Sequence, residues 1–421
     1  MFGWMAMRNR FFFHWINRDG KLIMASRAIS TFARSTVAVL MAIYLEKLGF
    51  SLVQIGAFLS AGVAGSAVFT VIVGLISERI GRRRLLVTFS LLSAGAGVAL
   101  IFFDSFVPLL FIAFLGSISG GPVMGPTGPL EQASITETAP EEKRTDLFAI
   151  YRIAALVGTA LGALAISLPV ILQDSFGIGE INSYRIIFGG FAVFLVAGGL
   201  LYTLLSSRVE SSVSGQSWAN PLRLPSRRLI FTLTGLFSLD HFAGSLFMEG
   251  LAAYWFYTRF GMDLQDLALV FFVSRLLAAI SLWAAAKIAN RIGLINTMVF
   301  THIPASLFLI GAAFAPAAWL AIIFWQLRAF FSMMDVPTRD SYTMSIVQPH
   351  ERVAMASIHI VGRSIAGTVG PLVGTLVWQL LSATAPLVGS AVLKISYDLS
   401  LYFMFRNIKP PQERDAGDSD T

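Results

Sequence analysis

The chain has 421 residues, 56% of them hydrophobic and 13% charged, with a mean hydropathy of +0.72. A soluble protein this apolar would lack the polar residues to cover its surface, so lipid is the expected solvent and a set of soluble domains is excluded. The absence of cysteine removes any disulfide framework, thiol nucleophile or cysteine metal site, and the net charge of +7 belongs to no compact basic domain, which argues against a nucleic-acid partner.

The stretch Met1 to Lys21 is basic and aromatic. The apolar run after it is too long for a signal-peptide core and no small-residue cleavage pattern follows, so it reads as a retained first span. Twelve spans are expected, at roughly 22–45, 52–75, 84–103, 107–131, 146–172 and 184–205, then 229–257, 265–286, 295–314, 317–340, 354–380 and 386–405. The runs are long and continuously apolar, which excludes the short alternating strands of a barrel. Between spans six and seven lies Ser206 to Arg228, rich in Ser, Gly, Pro and Arg. That composition reads as a linker. It divides residues 1–205, a first six-helix bundle, from 229–421, a second bundle with its tail.

The turn Gly74-Leu-Ile-Ser-Glu78-Arg79-Ile-Gly81-Arg82-Arg83-Arg84 orients the set. With the N-terminus inside, the inner segments hold 21 Lys and Arg, including Arg8, Arg10, Arg223, Arg339, Arg352, Lys409 and Arg414. The outer loops hold 3, namely Lys47, Arg185 and Arg259. Positive charge accumulates on the cytoplasmic side, so both termini are expected there, in a cell (inner or plasma) membrane.

The halves echo one another. Ala286-Lys-Ile-Ala-Asn290-Arg-Ile-Gly293 repeats the turn after span two at an offset of 212 residues. Arg152…Gly158…Gly162 in span five returns as Arg363…Gly370…Gly374 in span eleven, and Pro126-Thr127 as Pro337-Thr338. Duplicated six-helix units are a common transporter design, with the substrate site between the repeats.

With these features the chain resembles the major facilitator superfamily, whose loop after helix two reads Gly-x-x-x-Asp-Arg-x-Gly-Arg-Arg/Lys. Glu78 stands in the aspartate position. The resemblance implies two pseudo-symmetric six-helix bundles that rock about a central site, usually driven by a proton or solute gradient. Two features depart from the family's proton antiporters: span four has no arginine, and Gly158 to Gly162 lacks the proline of the Gly-Pro-x-x-Gly-Gly pattern.

Arg27, Arg34, Arg152, Arg275, Arg328, Arg363 and Lys394 fall inside spans, as do Asp240, Glu249, Asp335 and Asp398, with Glu131 at an edge. Each mid-membrane charge costs about 3 kcal/mol, so such groups face the bundle interior, pair, or line a wet cavity. Arg27 and Arg34 are separated by about 700° of helical rotation and share a face. The family's symmetry makes spans one and seven partners, so Arg34 and Asp240 are expected to face each other across the cavity, Asp240 exchanging arginine for a proton. Glu249, about half a turn out of phase, is expected nearer the outer mouth and outside the site of Asp240. Arg275 and Arg328 suit an anionic or zwitterionic substrate, unless nearby carboxylates neutralise them. His241 reads as a helix contact.

Arg152 and Arg363 are expected at the cytoplasmic gate with Glu131, Asp335 and Asp340. Gly74 and Gly81 are read as permitting the tight turn, and Glu78, Arg79, Arg82 and Arg83 as its gate charges. Glu131 is the expected partner of Arg79, which with Glu78 would latch spans four and eleven. The three prolines and five glycines between Gly116 and Pro129 predict a broken span four.

No zinc-protease motif, nucleophile elbow or phosphate loop is present, so an enzyme is not expected. The expected activity is secondary active transport of a small organic solute by alternating access, as proton-coupled efflux, by a monomer without cofactor or metal. The alternatives are uptake of an anionic or zwitterionic metabolite, or lipid flipping.

Overall fold

A computed structural model of the chain describes residues 15–119, 121, 125–140, 143–210, 224–348 and 351–408. Arg8, Arg10, Arg223, Lys409 and Arg414 of the charge count lie outside them, as do most of the linker and Gly120 and Pro122 of span four. All regular structure among the described residues is helical. Eleven helical stretches are long and apolar enough to cross a membrane, and the shorter apolar helix Phe106–Gly116 begins the remaining span.

Spans one to three are the single helices α1 (Arg18–Lys47), α2 (Leu52–Ile80) and α3 (Arg82–Phe102). Span four is broken, as its glycines and prolines require. Helix α4 (Phe106–Gly116) stops at Ser117, whose φ of 51° is left-handed, and α5 (Thr127–Ile135) resumes the path. Span five is α6 (Arg144–Leu164), then a tight turn at Ala165–Ser167 and α7 (Leu168–Phe176); span six is α8 (Glu180–Thr203).

The second half adds two further breaks, the second of them one turn before Pro337. Span seven is split into α9 (Arg227–Leu246) and α10 (Glu249–Phe260), with Phe247 and Met248 out of helical geometry. Span ten is split into α13 (Ala318–Phe331) and α14 (Asp335–Ser345). Spans eight, nine, eleven and twelve are α11 (Leu264–Ile292), α12 (Leu294–Phe314), α15 (Arg352–Leu380) and α16 (Ala385–Phe405).

Packing repeats with the sequence. In the first bundle α1 lies against α6 and α8, and α3 against α8; in the second, α9 lies against α15 and α16, and α12 against α16. The duplicated glycines permit close approaches of the helices. A Cβ on Gly162 would stand 2.4 Å from the Phe32 carbonyl oxygen of span one, and on Gly374 1.9 Å from the Leu246 oxygen of span seven. Only glycine permits backbones this close, so helix packing explains both glycine pairs.

The bundles meet through α2 with α15, α6 with α11, and α1 with α10. The named contacts cluster in the halves remote from Gly81. Ser60 Oγ accepts a hydrogen bond from Leu372 N at 3.1 Å, and the Lys47 ammonium lies 5.6 Å from the Tyr257 ring. Large apolar side chains such as Leu75, Phe102, Phe111 and Phe403 are exposed on the flanks, where lipid would cover them.

Candidate functional site

The breaks in spans four and seven face each other. A Cβ on Gly121 would lie 3.4 Å from the Met248 methyl. Beside them opens a cavity of about 360 Å³. The second bundle supplies nearly all of its wall: Asp240, His241, Met248, Glu249, Arg275 and Arg328, together with Lys394, Trp325 and Met333. The first bundle adds Val63 and Gly121.

Asp240 and Glu249 both line this cavity, against the expectation that helical phase would keep them apart. The break at Phe247 and Met248 resets the phase between α9 and α10. Glu249 forms an ion pair with Arg275, each side chain being 14% exposed.

Asp240 takes cations from its own bundle. Lys394 Nζ stands 2.6 Å from Oδ1 and Arg339 Nη1 3.2 Å from Oδ2. Arg339 also reaches Asp335 at 3.0 Å, and Lys394 lies 3.3 Å from His302 Nε2, whose Nδ1 meets Asp398 at 3.0 Å. Six titratable groups therefore form one buried chain from Asp335 to Asp398. Two of them escaped sequence reading. Arg339 was assigned to the inner surface yet is 6% exposed, and His302 sits in an apolar stretch of span nine with nothing around it to mark it.

Arg34 does not face Asp240 here. Its guanidinium donates to Ser93 Oγ of α3 at 2.9 Å and to the Ser117 carbonyl, freed where α4 ends, at 3.4 Å. Arg27 is buried with Glu131, Nη1 to Oε2 3.7 Å, and lies over the Tyr151 ring. The two arginines share a face, as their spacing demands, but that face meets span four. Glu131 is fully buried and accepts from the Tyr151 and Tyr202 hydroxyls at 2.6 and 2.7 Å, so it is not the partner of Arg79.

Arg328 differs from the other cavity cations. Its guanidinium lies 4.6 Å from the centre of the Trp325 ring, and no carboxylate is within ion-pair reach among the described residues. His241 packs at Gly367 of span eleven, where an added Cβ would fall 2.8 Å from Nε2, in keeping with a helix contact.

The signature turn also differs from expectation. Gly74 is inside α2 with open space around it and makes no turn; Gly81, at φ 97°, makes it. Glu78 and Arg79 are exposed, and neither side chain makes a hydrogen bond or ion pair among the described residues. The turn is held instead by Glu210, whose carboxylate accepts from the backbone N–H of Arg82 at 2.7 Å and of Arg83 at 3.0 Å. Arg82 and Arg83 then donate side-chain bonds to the Ala133 and Leu205 carbonyls. This clasp closes the first bundle on itself and reaches neither α15 nor the second bundle.

At the same end, Arg152 meets Asp340 of the other bundle at 3.9 Å, both side chains more than half exposed. Arg363 makes no ion pair among the described residues and lines a separate 140 Å³ cavity with Arg339, Asp340 and His359.

The model of the Major Facilitator Superfamily matches residues 23–371. The chain belongs to the Major Facilitator Superfamily. It is 24% identical over 425 residues to an uncharacterized membrane protein of Saccharomyces cerevisiae, YJR124C, covering 93% of this chain and 95% of that one. Its fold is similar to an autoinhibited POT family peptide transporter (TM-score 0.74, 13% identity, 93% and 98% of the two chains covered). It is also similar to a D-xylose–proton symporter (0.72, 16%, 93% and 98%). A bacterial homolog of the human lysosomal transporter Spinster, inward-facing and occupied, is similar too (0.69, 14%, 91% and 95%). This superfamily member is a multi-pass membrane transporter of a small-molecule substrate, not an enzyme.

Proposed function

We propose that the transporter moves a small organic solute by alternating access, that the solute binds in the 360 Å³ cavity, and that proton movement at Asp240 and Glu249 drives it. The carrying observation is that this cavity gathers Asp240, Glu249, Arg275, Arg328 and Lys394 at the junction of two broken helices. Intramembrane charges on a cavity wall are the ordinary mark of a substrate or ion pathway. Its volume suits a small-molecule ligand.

Each acid sits on a cation it can exchange for a proton: Asp240 on Lys394 and Glu249 on Arg275. An ion pair in low dielectric holds its carboxylate charged, and displacement of the cation by substrate raises the proton affinity of that carboxylate. Arg27 and Arg34, taken up by span four, are left out of the binding set. The cytoplasmic side is the Gly81 end, by its arginines. The glycines of spans five and eleven serve packing, so efflux draws no support from them; direction follows the imposed gradient.

The reading is tested in proteoliposomes carrying an imposed proton gradient and screened with labelled peptides, sugars, nucleosides and organic acids. Gradient-dependent uptake by the native chain that is lost in Asp240→Asn is expected. Uptake of a solute that ignores both the gradient and this substitution would refute proton coupling through Asp240.

A further inference from the structure

Every cavity cation but one has an acid at hand. Arg275 holds Glu249, and Lys394 holds Asp240. Among the described residues Arg328 has only the face of Trp325. It also borders a second chamber of about 180 Å³ that opens beside the first, shared with Lys394, Ser332 and Met333 and completed by His302 and Ser306. No carboxylate lines this chamber. Its polar lining is two cations, an imidazole and hydroxyls. The larger cavity shares Arg328 and Lys394 and, besides the Asp240 and Glu249 pairs, adds the apolar walls of Phe247, Met248, Phe271 and Trp325.

Building on the central-site reading above, we infer that the chamber beside Arg328 is an acid-group subsite, and that the transported solute is an amphipathic organic anion. Its carboxylate or phosphate is held by Arg328 with help from Lys394, and its apolar body lies in the larger cavity. An unpaired guanidinium this deep is costly, and an incoming anion supplies the missing counter-charge through short, charge-assisted bonds. The cation–π contact with Trp325 steadies the guanidinium, whose paired N–H groups form a fork that matches a carboxylate or phosphate edge. A cationic solute finds no free acid here, because Asp240 and Glu249 are already occupied. Contact of the anion with Lys394 loosens the grip of that amine on Asp240, which ties binding to the proposed proton site.

The test uses the purified full chain in neutral detergent, titrated with 4-phenylbutyrate, phenyl phosphate, 4-phenylbutanol and 4-phenylbutylammonium, binding being read from tryptophan fluorescence and thermal shift. The two acids should bind at least tenfold more tightly than the alcohol and the amine. Arg328→Gln should erase that preference, and Arg328→Lys should retain part of it. Loss of an unpaired buried charge should leave the melting temperature of Arg328→Gln unchanged or raised, so weak binding will not reflect misfolding.

Equal affinity for the alcohol, an intact acid preference in Arg328→Gln, or no binding of any acidic probe, lysophosphatidate included, would each overturn the subsite. A further arm with a single-chain lysophosphatidate separates sources: saturation by the soluble acids supports a water-borne solute, and saturation by the lysolipid alone supports a headgroup phosphate on the same subsite. Ser332→Trp fills the cavity and separates the two readings. If every probe still binds, the central site is wrong. If Ser332→Trp abolishes binding while Arg328→Gln changes nothing, only the acid subsite falls.

Discussion

The Lys394 ammonium stands 2.6 Å from one oxygen of Asp240 while Arg339 approaches the other at 3.2 Å. One carboxylate thus neutralises cations from spans twelve and ten at once, and Asp335 gives Arg339 a second anion. The arrangement ties three helices of the second bundle together through a single acid.

Removing that acid leaves Lys394 facing Arg339 and His302 without its close counter-ion. Asp240→Asn should therefore cost about 3–5 kcal/mol, the usual penalty for breaking a buried pair from one side. The double variant Asp240→Asn/Lys394→Met should recover most of the loss while still failing to couple transport to protons. Thermal melting in detergent checks both, and an unchanged melting temperature in the single variant would show that the pair carries no stability.

In the first bundle the equivalent burden falls on Glu131, which has no exposed surface and takes both tyrosine hydroxyls. Tyr202→Phe removes one donor from a charged acceptor and should cost about 1–3 kcal/mol. Arg27→Met removes the one cation within ion-pair range of Glu131 among the described residues and should cost more, about 3–5 kcal/mol. Glu131→Gln should be milder than Arg27→Met, since the amide oxygen still accepts from one tyrosine. Melting curves that rank these in the reverse order would contradict the geometry.

How much of this was legible depended on what kind of physics each feature uses. The spans, the broken span four and the repeat rest on local composition, and the Gly116–Thr127 break fell where its prolines and glycines stand. The break at Ser332 lies one turn before Pro337, the repeat-equivalent of Pro126, and was open to reading; the break at Met248 contains neither residue, and no local signal announced it. That one gap misplaced Glu249, because a helical phase counted from Asp240 does not survive a break. Arg34 failed for another reason: the Ser93 hydroxyl and the Ser117 carbonyl are closer acceptors than a carboxylate across the cavity. The candidate residues were thus largely visible as intramembrane charges, while their partners were not. His302 and Arg339 needed the fold to bring them together.

The signature turn yields a prediction that separates its residues. Glu210 caps the start of α3 with two backbone bonds, and an anion there also meets the positive end of the helix dipole. Glu210→Ala should cost about 1–2 kcal/mol, as loss of a strong cap does. Glu78→Gln, on an exposed side chain without a partner, should shift stability by less than about 0.5 kcal/mol. Equal effects from the two would return the structural role to the signature acid.

The last prediction concerns the link between bundles at the Gly81 end. Arg152 and Asp340 meet at 3.9 Å with both side chains more than half exposed, so water and salt screen them. Their pairing should contribute under about 1 kcal/mol to stability. Its effect on rate is a separate matter, since the contact exists only while this end is drawn together and must part when it opens. Arg152→Asp places two carboxylates across the gap and should bias the population toward the open arrangement, slowing return of the carrier without weakening solute binding. The exchanged pair Arg152→Asp/Asp340→Arg should restore the native rate. Flux in proteoliposomes, compared with binding affinity in detergent across a salt series, reads the two effects apart. A loss of affinity with an unchanged maximal flux, or a double variant no better than the single, would show that the pair does not act as a gate.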